Sequence, residues 1–292
     1  MAEKHDTIGL GDLQKASNPF KFYNLFISFV LLAIFIGSWY GSQMSITSLI
    51  DGWGYMKSYL SGNPNIANSS FLPPATDMHN ILKYAISMLE TLMMAVVALA
   101  LSIIIAFPLS FLASRNILDI LIPSKSVVHT MSKSAIYSMA ILFANVFRSV
   151  NELVWALLFV SAVGLGPMAG ILALGIHTAG VLTKLLAEGN ESIDPGPIQA
   201  LSSTGAGFIK ILFYAVIPQT MPHFISMVLY RFESDVRSAS ILGFVGAGGI
   251  GFYLFDKIRG FENGDVTTII IVIVFTVWCI DKLSAYIRSK FI

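Results

Sequence analysis

The chain has 292 residues, of which 55% are hydrophobic and only 12% charged, and its mean hydropathy is +0.74. Soluble domains carry about 25% charged residues, so this composition excludes a chain kept in water by its own surface and indicates a bilayer as solvent. A formal net charge of +1 leaves no electrostatic footprint for nucleic acid or another polyanion.

The first 20 residues are polar, and no small-residue cleavage site closes the apolar run that follows, which predicts a retained first span over 22–40 ending in Trp39 and Tyr40. A polar stretch with Asn63, Pro64, Asn65, Asn68, Ser69, Ser70, Pro73 and Pro74 reads as a loop with a short surface helix. The second span covers 81–113, longer than a crossing requires, and meets Arg115 and Asn116. A third span from 134 reaches the polar break Arg148-Ser-Val-Asn151-Glu152; a short apolar stretch, 153–163, ends in Gly-Leu-Gly-Pro. A fourth span covers 168–187, a less apolar segment 188–220 follows, and a fifth span covers 222–245. The glycine-rich run 243–251 and a short charged loop lead to the last span, 266–287, which holds Cys279, read as a packed free thiol.

Lysine and arginine placement sets the orientation. Lys4, Lys15 and Lys21 precede the first span, Arg115, Lys125 and Lys133 lie between the second and third, and Lys282, Arg288 and Lys290 close the chain. With about six spans, all fall on one side, so both termini and residues 188–220 are expected in the cytoplasm. The division expected is a cytoplasmic segment 1–21 and a single transmembrane domain 22–292.

The segment 188–220 carries the best-defined local signal. Asp194 is a good N-cap, Pro195 suits the first helical position, and Gly205 suits the left-handed residue that ends a helix. A second helix is expected from 208 until Pro218 stops it. A short capped helix, a glycine turn and another helix between two spans form either an ordinary loop or a rigid docking element.

This segment resembles the EAA loop of ABC importer permeases, a Glu-Ala-Ala, three residues, Gly, nine residues, Ile-x-Leu-Pro pattern. The matching positions are Gln199, Ala200, Leu201, Gly205, Ala215, Ile217 and Pro218: the spacing is kept, while the side chains depart at Gln199, which replaces the acidic residue, and at Leu201, Ala215 and Ile217. The run 230–254 resembles the phosphonate permease signature, an Arg-x-Glu-x-x-x-Arg-x-Ser sequence leading into Leu-Gly-x-Val-Gly-Ala-Gly-Gly-Ile-Gly. Residues 148–167 and the region of Glu90 are similar to the same family, so the resemblance spans about 80–290. It implies an all-α, polytopic type I ABC importer transmembrane domain of the MetI-like kind, a multi-pass protein of the bacterial inner membrane moving phosphonates or related phosphorus oxyanions. It also implies the partners: an ATP-binding subunit, a periplasmic or lipid-anchored solute-binding protein, a second copy of the chain, and membrane lipids. No phosphate-binding G-x-x-x-x-G-K-[ST] loop occurs, so no cofactor is expected in this chain, and ATP and Mg belong on the partner ATPase.

Charges inside spans are costly and mark a functional site or an internal ion pair. Glu90 fits a buried structural carboxylate or a gating group. Arg231 and Asp235, and Glu233 and Arg237, are each four residues apart and share helical faces; they fit an ion network, or an anion contact in which Arg237, Ser238 and Ser240 supply donors. Arg148, Asn151 and Glu152 sit at a helix break, which at membrane depth must be buried or line a cavity. Gly243, Gly246, Gly248, Gly249 and Gly251 fit either close helix approach or an irregular turn beside the pathway. His177 reads as a hydrogen-bonded packing residue, and no metal site is expected. The alternatives are a permease for another small solute of the methionine type, a membrane enzyme, or a self-gated channel.

Overall fold

The computed structural model describes residues 22–62, 69–122 and 126–291. Lys4, Lys15, Lys21 and Lys125, the polar residues Asn63, Pro64, Asn65 and Asn68, and the expected segment 1–21 lie outside the described residues. The chain divides into an N-terminal unit, Met1–Ser58, and a main unit, Tyr59–Ile292. Among the described residues six helices are long and apolar enough to cross a membrane: Tyr23–Gly41, Met78–Leu112, Val127–Ser149, Pro167–Glu191, Phe208–Val245 and Asn263–Lys290.

The N-terminal unit holds α1 (Phe22–Gly41) and most of α2 (Ile46–Ser61), a 16-residue helix that precedes the polar stretch in which a short helix is expected. Leu25, Phe29, Leu32 and Phe35 of α1 are exposed, as a helix solvated by lipid requires.

The main unit is built on α3 (Met78–Leu112) and α7 (Pro167–Glu191). The buried residues of α3 are Tyr84, Met88, Thr91, Met94, Ala95, Ala98, Ser102, Ala106 and Ser110, with Ser87, recurring every three or four positions and so forming one stripe. Small residues dominate the facing part of α7, where Ala169, Ala173, Gly175, Ala179 and Gly180 are buried. Lipid gives helices little apolar driving force to associate, so close approach between small residues must supply it. The hydroxyls of the α3 stripe bond to their own helix: Ser87 to the Lys83 carbonyl (3.0 Å), Thr91 to Ser87 (3.0 Å) and Ser102 to Leu99 (2.7 Å). No hydroxyl in the stripe is thereby left open in an apolar medium.

Around this pair lie α4 (Arg115–Leu121), α5 (Val127–Ser149), α6 (Glu152–Val163), α8 (Pro195–Ser203), α9 (Phe208–Ile211), α10 (Ile217–Leu242), α11 (Ile250–Arg259) and α12 (Asn263–Phe291). The segment before α3 is strapped to the start of α12. Thr267 and Thr268 donate to the Phe71 and Ala75 carbonyls at 2.8 Å, and Tyr84 donates to Asp265 at 2.9 Å.

Four expectations are corrected. The third span begins at Val127, not at 134, because Val128, Met131 and the residues between them extend its outward face. The fourth span continues to Glu191. Pro218 does not stop a helix: α9 passes through a π turn, Leu212–Val216, into α10, so the fifth span starts at Phe208 and the segment between the fourth and fifth spans narrows to 192–207. The Ile217 N–H reaches back to the Leu212 carbonyl, and this wider turn accommodates a proline that has no N–H of its own to donate. Finally, Cys279 is exposed, beside the exposed Trp278 on the outer face of α12, since lipid solvates a thiol as readily as a packed interior does.

Candidate substrate pathway and coupling helix

The break after the third span is a built feature. Val150 is extended, and the Asn151 side chain caps α6 by accepting the Leu153 N–H at 2.9 Å. The indole N–H of Trp155 satisfies the Phe147 carbonyl at 3.2 Å, a group the interrupted helix leaves open. At Gly180 a Cβ would lie 2.7 Å from the Ala144 carbonyl oxygen and the Arg148 nitrogen, so only glycine lets α7 approach the end of α5 this closely.

Glu152 occupies the first turn of α6, where the helix dipole favours a carboxylate. It accepts a 2.7 Å hydrogen bond from Ser238 on α10 and lies 3.6 Å from His177 Nε2 on α7. His177 Nδ1 is 2.9 Å from the Val150 carbonyl, so this histidine ties the break to α7 through hydrogen bonds. One turn deeper, Asp235 is fully buried, accepts from Thr178 at 2.7 Å and pairs with Arg231 at 2.9 Å; Arg231 also donates to Thr178 at 3.1 Å. Both helical pairs expected from the sequence are formed, the second being Glu233 with Arg237, whose side chain is 51% exposed.

Arg148 and Glu152, although four residues apart, do not pair. The break at 149–151 takes them off a common helical face, Arg148 bonds the neutral Asn145 at 3.2 Å, and it has no acidic partner among the described residues. Asn145, Arg148, Ser149, His177 and Val181 line an open cleft of about 590 Å³. An intramembrane arginine costs roughly 2.5–3.5 kcal/mol even with relaxation. A guanidinium without an acid therefore needs water or an anion.

The glycine-rich run contains both an irregular turn and close backbone packing, at different residues. Gly246, Gly248 and Gly249 have positive φ and reverse the chain between α10 and α11. Gly243 and Gly251 pack backbone on backbone, where a Cβ on Gly243 would overlap the Phe252 amide. Glu90 is half-buried on α3 beside this turn: a Cβ on Gly248 would lie 3.2 Å from Pro167 and 3.4 Å from the Glu90 carboxylate.

At the other end of α10 stands α8. Asp194 accepts the Gly196 N–H at 2.9 Å, Pro195 begins the helix, and Gly205 follows its end at φ +77°. Gln199, Ala200 and Leu201 lie on α8, and none of its residues is buried. Sequence reasoning passed over Thr178, Trp155 and Gln219. Only Gln219 carried a signal, a polar residue directly after Pro218 at the start of an apolar span.

Residues 126–288 match the family described as "Binding-protein-dependent transport system inner membrane component". The phosphite transport system permease protein PtxC of Stutzerimonas stutzeri is 31% identical over 267 residues, 91% of this chain and 88% of that protein. The putative phosphite permease HtxC of the same organism is 36% identical over 89% of this chain and 84% of its own length. The phosphate-import permease PhnE of Mycolicibacterium smegmatis is 42% identical over 204 residues, 70% of this chain, which spans only 36% of that longer relative. In structure, a chain of the inward-facing MetNI methionine ABC transporter superposes with a TM-score of 0.60 at 22% identity, covering 74% of this chain and 97% of its own. The all-helical fold is thus that of the MetI-type permeases, and the chain belongs to the binding-protein-dependent transport system inner membrane components, as a multi-pass permease similar to the phosphite and phosphate-import permeases named above.

Proposed function

We propose that this chain passes a small phosphorus oxyanion, of the phosphonate or phosphite class, through the membrane by way of the cleft at Arg148. The observation that carries this reading is the contrast among the three arginines near the break. Arg231 and Arg237 each pair with a carboxylate four residues away, whereas Arg148 faces a cleft of about 590 Å³ and, among the described residues, bonds neutral Asn145 and no acid. A guanidinium fork suits a tetrahedral oxyanion, since its N–H groups match two oxygens at once. Glu152, Asn151 and Ser238 hold the break in shape behind it, Arg237 extends the positive surface, and Glu90 with the glycine-rich turn gates the far side.

ATP hydrolysis belongs to a separate subunit that docks on α8, delivery belongs to a solute-binding protein, and two copies of the chain pair so that two ATPases are engaged. Both termini and the segment 192–207 face the cytoplasm. The largely exposed α8 supports this arrangement, since nine residues with none buried form a poor helix alone and gain by packing on a partner.

The test is ATP-dependent uptake of phosphite, methylphosphonate and phosphate into proteoliposomes holding the permease, its ATPase and its binding protein. Arg148→Gln is expected to cut uptake by about 100-fold, in line with about 3 kcal/mol for a charged hydrogen-bonding group, and Arg148→Lys to retain part. Uptake of none of the three anions by the intact complex would overturn the function, and full uptake by Arg148→Gln would remove Arg148 from the path.

A further inference from the structure

The position of α8 is held by remarkably few interactions for an element that must transmit force, because none of its residues is buried. Its own cap, Asp194 to Gly196, fixes its first turn but ties it to nothing else. Beside the partly buried Ile198 and Leu201, the side-chain hydrogen bonds that tie α8 to the bundle among the described residues come from Gln219. Its Oε1 accepts the Asp194 N–H at 3.0 Å, and its Nε2 donates to the Ala215 carbonyl at 2.8 Å and leans on the Asp194 carbonyl at 3.4 Å. One side chain thus grips both backbone groups of the cap residue of α8 and a carbonyl of the π turn that opens α10.

This grip lies on the helix that carries the charged groups. From Gln219, α10 continues through Arg231 and Asp235 to Ser238, about 28 Å away at 1.5 Å per residue, and Ser238 bonds Glu152 at the break. The lower part of α10 is also seated against α7: a Cβ on Gly189 would overlap the His223 ring, and His223 Nε2 lies 3.4 Å from the Leu185 carbonyl. Beyond the turn at 204–207, the π turn is the one non-α stretch between α8 and the charged segment, and it is where a helix takes up or gives back a residue of register.

We infer that Gln219 is the positioning residue through which movement of α8 becomes movement of α10, and hence of the break lined by Arg148 and Glu152. The inference rests on the reading of α8 as the ATPase-docking helix and goes beyond it: docking needs the exposed face of α8, whereas transmission needs the amide of Gln219. A helix held by backbone contacts to one amide moves with it as a unit. Without that amide, α8 remains capped by Asp194 and keeps the packing of its partly buried Ile198 and Leu201, but loses its side-chain hydrogen bonds to α10.

The test uses the complete transporter in nanodiscs, with its ATPase and its binding protein loaded with methylphosphonate. Gln219→Met keeps the side-chain length and removes all three hydrogen bonds; Gln219→Glu keeps the acceptor for the Asp194 N–H and loses the donors. The ratio of ATPase rates with and without loaded binding protein is expected to fall at least about fivefold in Gln219→Met, the lower range of allosteric coupling factors, and less in Gln219→Glu, while both variants co-purify with the ATPase in wild-type proportion. A wild-type ratio in Gln219→Met overturns the inference. Loss of the ATPase from the complex also overturns it, by making Gln219 a docking element and not a transmitter. Gly205→Val in the same assay separates the two levels: if it keeps both the ATPase and the ratio, the docking reading itself fails, whereas if it loses the ratio while Gln219→Met keeps it, only the role of Gln219 fails.

Discussion

Asp235 has 0% exposure and Arg231 is nearly enclosed, so each is the other's neutraliser in an environment where an unpaired charge is costly. Removing one partner from such a pair costs roughly 3–5 kcal/mol. Asp235→Ala is therefore expected to lower the melting temperature of the permease in detergent sharply, and the double change Arg231→Met with Asp235→Leu to recover most of it; a double variant as unstable as the single would show that the Thr178 bond matters more than the charge. Arg237 and Glu233 behave differently because Arg237 is half exposed and such a pair contributes little stability. Replacing both with leucine should leave a folded protein. On the proposed path Arg237 adds to the anion-facing surface, so uptake by the double variant is expected to fall; wild-type uptake would take Arg237 off that path.

Among the elements, α8 depends most on backbone conformation. Gly205 sits at φ +77°, and no atom lies within 4 Å of where its Cβ would be, so a side chain there meets strain but no clash. The cost is on the order of 1–2 kcal/mol for a β-branched residue in the left-handed region, somewhat less for alanine. Gly205→Val is expected to weaken ATPase docking severalfold, with Gly205→Ala intermediate, by pull-down of the ATPase at graded concentrations. The turn between α10 and α11 fails for another reason. Gly243 has ordinary φ but no room, since a Cβ would overlap the Phe252 amide and Gly251. Gly243→Ala is expected to reduce folded yield more than Gly205→Ala does, which size-exclusion profiles of the two variants would measure. Two glycines in one chain are thus irreplaceable on separate grounds, backbone conformation at one and space at the other.

For the whole molecule, orientation and pairing are the open quantities that a labelling experiment reads. On the proposed orientation, with the segment 192–207 in the cytoplasm, a membrane-impermeant maleimide should not label Ser202→Cys in sealed cells and should label it in inverted vesicles. Because Cys279 is exposed on the outer face of α12, the background must be Cys279→Ser. Labelling from outside would invert the topology. The same variant, cross-linked within the purified transporter, is expected to report two permease copies per complex; a complex with one permease and two ATPases would refute the pairing.

What the sequence alone determined follows from periodicity and local chemistry. Long apolar runs, such as those of α3 and α12, announce spans because hydrocarbon demands them whatever the neighbours are. Asp194, Pro195 and Gly205 announce α8 because caps and left-handed turns are settled within a few residues. The pairs Arg231 with Asp235 and Glu233 with Arg237 were legible for the same reason, helical spacing within one unbroken element. The tertiary structure decided whatever depends on contacts between distant segments. Arg148 and Glu152 have the same four-residue spacing, yet a break between them sends one to a cleft and the other to Ser238, 86 residues on. Pro218 reads as a stop and is instead carried by a π turn braced by Gln219, because the helix has a packed partner in α7 and no gain in ending there. Spacing fixes which residues share a face only while the helix continues, and whether it continues is settled by what packs against it.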